Sequence, residues 1–337
     1  MKLISIIIPL YNADKFVEKA YSFILNQKGL KLPFEIIFVD NNSRDNSYEL
    51  AKKITTKDSR VKVFKESKQG APSARNRGFI ESKGDLIYFF DVDDQLFDDS
   101  LASLSLVLMN HKQIDVVFGK LIKSSIGVEN YDARELPKCS ELIIREKPYW
   151  GLLWLKDLSK TIGPPGFLYR REVFEQVGMY NTKIPASEDT ALDIEIGMKY
   201  CIAMIDRFVY LYYKHDQATT NILKKKKSRV FMQWPRIIHS HIPFYLDNKH
   251  EKEYHEILKQ KIYSSIAKMI HETKGSNRRG ELRKKLLNDI KPLQLPTVIS
   301  LSIHLLVFIE NKYFFKLYIY YVMPLFTKKV KLDKAPF

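Results

Sequence analysis

A short apolar run leads directly into three carboxylates in the stretch "GDLIYFFDVDDQL", residues 84 to 96. The run "DLIYFF" (85 to 90) is rich in bulky side chains, which is typical of a strand buried on both faces. Asp91, Asp93 and Asp94 follow it at once. Carboxylates this close repel one another, so their grouping is costly unless a cation lies among them. The stretch predicts either a divalent metal at a strand end or a solvated turn that caps the next helix.

Apolar runs of the same kind recur through the first 120 residues and alternate with helical patterns. The runs are "LISIIIP" (3 to 9), "FEIIFVD" (34 to 40), "VKVFK" (61 to 65) and "IDVVFG" (114 to 119). The clearest helical pattern is "DKFVEKAYSFILNQ", which keeps a 3.6-residue rhythm behind Asp14 as a candidate N-cap. Strands separated by helices predict an α/β fold, a mostly parallel sheet flanked by helices, followed by a helical C-terminal region.

Polar loops follow these strands, and ligands bind at the carboxyl ends of strands in such sheets. The first strand ends in Tyr11 and Asn12, the second in "DNNSRDNS", and the third leads into "KQGAPSARNRG". With the carboxylates after the fourth strand, the four loops are predicted to converge on one crevice.

The side chains of these loops suit a nucleotide but also have ordinary structural uses. Asp40 and Asn41 can accept a hydrogen bond from a base N–H, or can simply form an Asx-rich turn. Arg75 offers planar donors to a phosphate, or an ion pair to a surface carboxylate. Tyr11 can stack on a base or cover the edge of the sheet.

A second acidic group lies in "ASEDTALDIEIG", where Ser187 is a candidate cap and Glu188 and Asp189 fall in the first helical turn. Acidic residues there commonly complement the helix dipole. Either one can instead act as a general base toward a hydroxyl nucleophile. His215, in "YLYYKHDQATTN", follows a strand-like run and is within reach of a metal or a phosphate only if the fold brings it there.

Together these stretches resemble the family 2 glycosyltransferases, inverting enzymes of the GT-A fold. "SIIIPLYNADKF" is similar to their opening strand, "IIFVDNNSRDNS" to their V-D-D-G-S-x-D-x-S loop, and "GAPSARNRGF" to their G-x-x-x-A-R-N-x-G segment. "FFDVDD" is similar to their metal-binding DxDD and "SEDTAL" to their E-D motif. The resemblance covers residues 3 to about 216.

The resemblance implies a role for each matching position. Asp189 would be the catalytic base, with Glu188 beside it. The nucleotide-binding residues would be Pro9, Tyr11, Asn12, Asp40, Asn41, Arg75, Asp91 and Asp93. Asp93, Asp94 and His215 would bind Mn²⁺ or Mg²⁺. One position departs from the family, because Asn41 stands where an aspartate commonly accepts from uracil N3–H.

The implied reaction moves a sugar from a nucleotide-sugar, expected to be a UDP-sugar, to a hydroxyl of a glycan or lipid-linked acceptor in cell-surface polysaccharide synthesis. Two other functions compete. A sugar-phosphate nucleotidyltransferase should begin with a Gly-rich basic loop, which "PLYNADKF" lacks. A nucleic-acid or membrane-surface binder without catalysis does not account for Asp91, Asp93, Asp94, Glu188 and Asp189, so we expect no nucleic-acid partner.

Length and composition agree with a globular enzyme. The 337 residues are 45% hydrophobic and 28% charged, enough for one large and one smaller domain. We predict a catalytic domain over 1 to 220 and a basic, mainly helical region over 221 to 337. Two cysteines, Cys139 and Cys201, predict reduced thiols, and an N-terminal apolar run broken by Pro9 and Asn12 predicts a strand in a cytoplasmic protein.

The positive charge is concentrated in the last third of the chain. Residues 221 to 337 hold 24 Lys and Arg against 9 Asp and Glu, a net +15 of the chain's +16. Such a segment suggests an anionic partner. The apolar part, 293 to 326, is interrupted by Glu310, Lys312 and Lys316 before about 18 uncharged residues accumulate. It predicts either a helix lying on an anionic membrane, peripheral on the inner face, or a subdomain packed on the catalytic domain.

Overall fold

The structure, a computed structural model, describes residues 2–131, 141–215 and 228–333. Strands and helices alternate in its first part, as the sequence predicts. The strands described are β1 (Ile4–Leu10), β2 (Phe34–Asp40), β3 (Val61–Lys65), β4 (Leu86–Phe89), β5 (Gln95–Leu96), β6 (Val116–Ser124), β7 (Leu142–Arg145), β8 (Phe167–Arg170) and β9 (Ile202–Tyr213). The five predicted runs correspond to β1, β2, β3, β4 and β6.

Helices cover both faces of the sheet and build the C-terminal region. They are α1 (Asp14–Leu25), α2 (Ser47–Thr55), α3 (Ala71–Glu81), α4 (Ser100–Asn110), α5 (Tyr149–Lys156), α6 (Arg171–Val177), α7 (Glu188–Lys199), α8 (Arg229–Arg236), α9 (Ile242–Asp247), α10 (Lys252–Glu272), α11 (Ser276–Asp289), α12 (Thr297–Phe308) and α13 (Lys312–Leu317). Single π-helical turns follow α8 (Ile237–His241) and α13 (Tyr318–Val322).

The described strands form one mixed sheet in the order β3-β2-β1-β4-β8-β6-β9-β5, with β7 on the side of β9. The predicted parallel arrangement holds for β3, β2, β1 and β4. β8 then enters antiparallel between β4 and β6. It is reached from a 3₁₀ turn, Pro164–Gly166, and not through a crossover helix, so no parallel pairing is imposed on it.

Side chains of the central strands alternate between two hydrophobic cores. Ile6 and Ile8 of β1 point to the core shared with α1, α2 and α4, whereas Ile7 points to the core shared with α3, α5 and α7. Both faces are covered, which explains why the strands read as continuous apolar runs.

The C-terminal helices share the second of these cores. Buried side chains of α10 and α12, such as Ile266 and Ile303, belong to the same cluster as Trp154 of α5 and Ile194 of α7. The predicted boundary near residue 220 falls within 216–227, outside the described residues, as does Cys139. Among the residues that the structure describes, no helix has the length and apolar character needed to cross a bilayer.

The start of α1 differs from the prediction. Ala13 occupies the N-cap position and Asp14 is the first helical residue, so Asp14 does not cap the helix with its side chain. Instead the Asp14 N–H donates to the Asp45 carboxylate at 3.0 Å, and the Ala13 N–H donates to Ser47 Oγ at 2.8 Å. The second loop therefore supplies the acceptors that the helix itself lacks.

Helix α3, which carries Arg75, packs on the sheet through a glycine. A Cβ built on Gly78 would lie 2.2 Å from Cγ2 of Ile7 and 3.3 Å from Cγ2 of Val39. The helix therefore approaches β1 and β2 more closely than any larger residue would permit.

Gly78→Ala should lower the free energy of unfolding by about 1–3 kcal/mol, because the added methyl group must displace Ile7 from a packed core. Urea denaturation of the full chain measures the loss. Gly280→Ala is the matched control, since its Cβ would meet nothing closer than Val307 Cγ1 at 3.9 Å. The control should gain up to about 1 kcal/mol from helix propensity. Equal effects of the two changes would contradict close packing at Gly78.

Candidate active site

The carboxyl ends of the parallel strands and the first turns of α3 and α7 meet in one crevice. The predicted loops do converge there, since Arg75 of α3 contacts both the segment after β4 and the start of α7. Arg75 Nη2 donates to Asp91 Oδ1 at 2.7 Å, and Nη1 donates to Glu188 Oε1 at 2.8 Å. Residues 113 positions apart in the chain are thus joined by one guanidinium.

Arg75 is 5% exposed, and of its two partners Glu188 is buried and Asp91 is partly exposed, so the ion pair with Glu188 is the better shielded from water. Burial raises the pKa of Glu188, the neighbouring Asp189 raises it further, and Arg75 opposes both effects. The Glu188 carboxylate is therefore held in place by a charge-assisted hydrogen bond and has little freedom to meet a substrate.

The three carboxylates after β4 form a tight turn, in which the Asp94 N–H donates to the Asp91 carbonyl at 3.0 Å. Asp93 Oδ2 lies 2.8 Å from His215 Nε2, so the fold does bring His215 to this turn. Asp94 is 4% exposed and accepts from the Tyr213 N–H at 3.2 Å, which places it behind the other two.

The negative charge of this turn is not fully compensated. Burial raises the pKa of Asp93, and the charge of Asp91 adds to the effect. Burial also raises the pKa of Asp94 well above its usual value, followed by the charges of Asp93 and Asp91. A cation bound in the turn would relieve this repulsion.

The ligand set suits a cation that is shared with a substrate. In the described parts of the chain, no three His, Cys, Asp or Glu side chains are arranged to hold a metal ion by themselves. Mg²⁺ is commonly bound through only one or two carboxylates, with substrate phosphates and water completing its shell. Asp91 and Asp93, both partly exposed, fit that mode of binding.

The end of β2 offers one unused acceptor. Asp40 is buried, and its Oδ1 has no hydrogen-bond partner among the residues described. Asn41 differs, because its Nδ2 donates to the carbonyls of Glu66 and Lys68 and its Oδ1 accepts from the Gly70 N–H at 2.6 Å. Asn41 thus fixes the loop before α3, and this favours a positioning role over the direct base contact predicted for it.

The loop after β1 carries an exposed aromatic ring, that of Tyr11, and a side-chain amide, that of Asn12, which hydrogen-bonds to a neighbouring loop. Tyr11 is 51% exposed at the mouth of the crevice. Asn12 has a φ of +48°, and its Oδ1 accepts from the Arg44 N–H at 2.8 Å, which ties the first loop to the second. The pairing of β1 with β4 ends at Ile7, two residues before Pro9. Proline has no backbone N–H, and at this position no hydrogen bond between the two strands is lost.

Asp189 lies beside Glu188 but is oriented differently. It is partly exposed, and its Oδ1 accepts from the Thr190 N–H at 2.7 Å. Ser187 occupies the N-cap position with a φ of +63° and makes no side-chain capping bond, contrary to the predicted cap. The left-handed backbone at Ser187 is the kind of strained geometry that occurs at functional sites.

Two residues of the site escaped the sequence analysis, the buried Asp193 and the partly buried Asn76. Asp193 accepts from the Tyr169 hydroxyl at 3.1 Å, and its pKa is raised well above the usual value by burial and then by Asp189. Asn76 exchanges two hydrogen bonds of 2.9 Å with the backbone of Tyr180. The spacing of Asp193, four residues after Asp189 on one helical face, is a signal that could have identified it.

The sequence-family model of glycosyl transferase family 2 matches residues 5–178, just over half of the chain. The chain belongs to the family 2 glycosyltransferases. The predicted enzyme class, a glycosyltransferase, is therefore confirmed.

Curated relatives of this glycosyltransferase come from several bacteria. An uncharacterized glycosyltransferase of Bacillus subtilis, EpsJ, is 27% identical over 222 residues, which cover 65% of this chain and 63% of EpsJ. Glycosyltransferase GlyG of Streptococcus pneumoniae is 36% identical over 225 residues, 64% of this chain and 72% of GlyG. The chain thus spans slightly less than two thirds of EpsJ.

Solved structures share the fold. S. aureus TarS 1-349 in complex with UDP-GlcNAc has a TM-score of 0.51 and 18% identity, and the match covers 90% of each chain. The mannosyltransferase PcManGT from Pyrobaculum calidifontis, in complex with GDP-Man and Mn²⁺, has a TM-score of 0.51 and 14% identity, covering 96% of this chain and 82% of PcManGT. At these identities the matches establish the GT-A fold alone.

Proposed function

We propose that the protein is a metal-dependent, inverting glycosyltransferase that moves a sugar from a UDP-sugar to a hydroxyl of a glycan or lipid-linked acceptor in cell-surface polysaccharide synthesis. The observation that carries the proposal is the pair of ion pairs at Arg75, to Asp91 and to Glu188. The Arg75 guanidinium lies between the two acidic groups of the site and keeps them apart. One group would then serve the sugar donor and the other the acceptor.

The part of the site proposed to bind the nucleotide-sugar offers the base one oxygen that can accept a hydrogen bond and one aromatic ring that can stack on it. The unpartnered Oδ1 of Asp40 can accept from the N3–H of uracil, and the exposed ring of Tyr11 can stack on the base. These contacts support a uridine nucleotide. Asn41 would hold the loop before α3 in position beside that nucleotide.

Mn²⁺ or Mg²⁺, when bound, neutralises the diphosphate and makes it a better leaving group. Asp93 and Asp91 would hold the cation, with His215 directing Asp93 and Asp94 buried behind them. The hydrogen bond between Asp93 and His215 restricts how Asp93 presents its second oxygen.

The acceptor side needs a carboxylate that is free to take a proton. Asp189 fits this role better than Glu188, which Arg75 holds. As the acceptor oxygen forms its bond to the anomeric carbon, the bond to the diphosphate oxygen breaks and the hydroxyl proton passes to Asp189. Displacement from the opposite face inverts the anomeric configuration.

Asp93→Ala should abolish measurable binding of UDP-GlcNAc in the presence of Mn²⁺, because the cation loses a ligand from a shell that the protein only partly supplies. Calorimetry on the full chain measures the affinity. Asp98→Ala serves as control, since Asp98 lies nearby but is exposed and pairs only with Lys28 in the described structure. Unchanged affinity in Asp93→Ala would remove Asp93 from the metal site.

Asp189→Asn should leave donor binding intact and reduce transfer by a factor on the order of 10² to 10⁴, the scale expected for loss of a general base. Glu188→Gln should cost less transfer, because the amide oxygen can still accept from Arg75. Both are followed as donor affinity and as the rate of sugar transfer or donor hydrolysis. A larger loss in Glu188→Gln than in Asp189→Asn would move the base to Glu188.

The C-terminal region presents a surface suited to a membrane. We call the exposed apolar side chains between 298 and 325 the tail surface. It holds ten of the 18 exposed large apolar or aromatic residues described, namely Val298, Leu301, Leu305, Phe308, Ile309, Tyr313, Leu317, Tyr320, Tyr321 and Leu325. The opposite side of α12 is buried against the core, so both uses predicted for this segment are compatible.

The charge around the tail surface supports an anionic lipid surface as its partner. Exposed lysines lie within this range at 312 and 316 and beyond it at 328, 329 and 331, and one of the nearby acids, Glu310, already pairs with Arg279. A second copy of the chain would bring these like charges together, whereas an anionic lipid surface would neutralise them. We therefore place the enzyme at the inner face of the cell membrane, near a lipid-linked acceptor.

Replacing Phe308, Tyr320 and Leu325 together by Ser should release the enzyme from acidic vesicles, because apolar insertion is lost while every lysine remains. Sedimentation with phosphatidylglycerol vesicles at low and high salt measures the bound fraction. Ile80→Ser with Leu106→Ser is the matched control, since both side chains are exposed on the catalytic domain. Equal pelleting of the triple variant and the control would rule out the tail surface as the contact.

A further inference from the structure

A cavity of about 400 Å³ lies along one face of α7 and begins at Glu188. Four residues of this helix line it at intervals of three or four positions, which places them on one side of the helix: Glu188, Ala191, Glu195 and Lys199. The π-helical turn Ile237–His241 and helix α9 supply further lining residues. Glu188 thus belongs both to the site described above and to this cavity.

Hydrogen bonds hold the walls of the cavity together. Ser240 Oγ, in the π-helical turn, donates to Glu195 Oε1 of α7 at 2.7 Å. Asn181 Nδ2, in the segment before α7, donates to the His239 carbonyl at 2.8 Å. The turn is therefore fixed both to α7 and to the segment that leads into it, so the cavity is a preformed part of the fold, as binding sites for small molecules usually are.

Several polar groups of the lining are free to bind a ligand. In the described structure, the His239 imidazole, the Asp247 carboxylate and Oδ1 of Asn248 make no hydrogen bond. Glu195 uses only Oε1 for Ser240, which leaves Oε2 available. Carboxylate and amide oxygens accept hydrogen bonds, and an imidazole can donate or accept one, so this set matches the hydroxyl groups of a ligand.

Apolar side chains complete the lining between these polar groups. They are Val177, Met179, Ala191, Leu192, Pro243 and Phe244. A sugar ring has hydroxyl groups along its edge and C–H groups on its faces, and so presents the same mixture. A hydrocarbon chain would instead leave the polar groups without hydrogen bonds, which is costly. The volume lies near the lower end of the range of about 300–1,000 Å³ for small-molecule sites, which favours a short saccharide.

The charges around the cavity favour a ligand that carries no negative charge. Glu188 is already neutralised by its ion pair with the buried guanidinium of the site. Glu195 and Asp247 have no ion-pair partner in the described structure. Among the described lining residues, Lys199 and His239 are the side chains that can carry a positive charge. Two free carboxylates therefore face one permanent cation, which disfavours a phosphate or a uronic acid.

We propose that this cavity binds an uncharged sugar unit of the acceptor beside Asp189. The proposal rests on the function proposed above and specifies its acceptor as a glycan. The sugar of the donor has the same chemistry. The acceptor is the better fit, because the cavity begins at Glu188, the residue before Asp189, and among the described residues neither Asp91 nor Asp93 lines it.

Methyl glycosides of glucose, galactose and N-acetylglucosamine are the probes, titrated into full-length enzyme and followed by saturation-transfer NMR. At least one should bind saturably. His239→Ala and Glu195→Gln should each weaken that binding on the order of five-fold, the scale of one lost hydrogen bond. His239→Ala removes the ring and keeps the carbonyl that Asn181 uses. Glu195→Gln keeps an oxygen for Ser240 and turns an amide N–H₂ toward the ligand.

Glu175→Gln and His250→Ala are the matched controls, because both side chains are exposed and neither lines the cavity. They should bind the glycoside like the unaltered enzyme. Absence of saturable binding, or equal binding by the variants and the controls, would refute the sugar site. Methyl glucuronoside should bind more weakly than methyl glucoside, and equal or tighter binding would overturn the assignment to an uncharged sugar.

A second titration identifies the source of the sugar. It is made with Mn²⁺ and a saturating concentration of whichever binds most tightly among UDP-glucose, UDP-galactose and UDP-GlcNAc. Retained glycoside binding supports an acceptor sugar, whereas displacement would assign the cavity to the donor sugar and overturn the proposal. If the glycosides failed to bind while Asp189→Asn still reduced transfer, the proposed function would stand without this site.

Stability separates a binding role from a structural one. Without ligand, His239→Ala and Glu195→Gln should unfold at the same urea concentration as the unaltered enzyme. The His239 ring has no hydrogen bond to lose in the described structure, and the new amide at 195 can still accept from Ser240. A marked loss of stability in both variants would mean that these side chains support the packing of α7, contrary to the proposal.

Discussion

The double ion pair of Arg75 is the interaction on which the geometry of the site depends. Its guanidinium reaches Asp91 from the segment after β4 and Glu188 from the start of α7, and so joins the two acidic parts of the site directly. The planar fork lets the two terminal nitrogens serve different partners, which a lysine ammonium on its flexible stem would not do with the same direction. Loss of Arg75 would leave the buried Glu188 and the partly exposed Asp91 without compensation.

Arg75 can do this only because α3 is fixed at three points. Gly70, the N-cap residue of the helix, donates its N–H to Asn41, and the helix lies close to β1 through Gly78. Asn76, next to Arg75, pairs with the backbone of Tyr180. Within the segment "GAPSARNRG", Gly70, Asn76 and Gly78 thus fix the helix that carries the arginine joining the two halves of the site.

The sequence predicts what is local and misses what is long-range. Strand runs and the loops at their carboxyl ends follow from patterns within a few residues, so the α/β fold and the crevice could be predicted. The antiparallel entry of β8 depends on pairing with distant strands and leaves no local pattern. Asn41 resembles a base-binding residue in sequence, but its use by Glu66, Lys68 and Gly70 depends on a turn that no motif encodes.

The negative charge that the fold leaves uncompensated lies in the turn of Asp91, Asp93 and Asp94, where the carboxylates disfavour ionisation of their neighbours. Such a turn repels a free phosphate and attracts a cation. A diphosphate would therefore be favoured there only together with its metal ion. Arg75 joins this turn to Glu188, and the proposed base, Asp189, is the next residue. One guanidinium would thus set the spacing between the metal-bound diphosphate and the carboxylate that removes the acceptor proton.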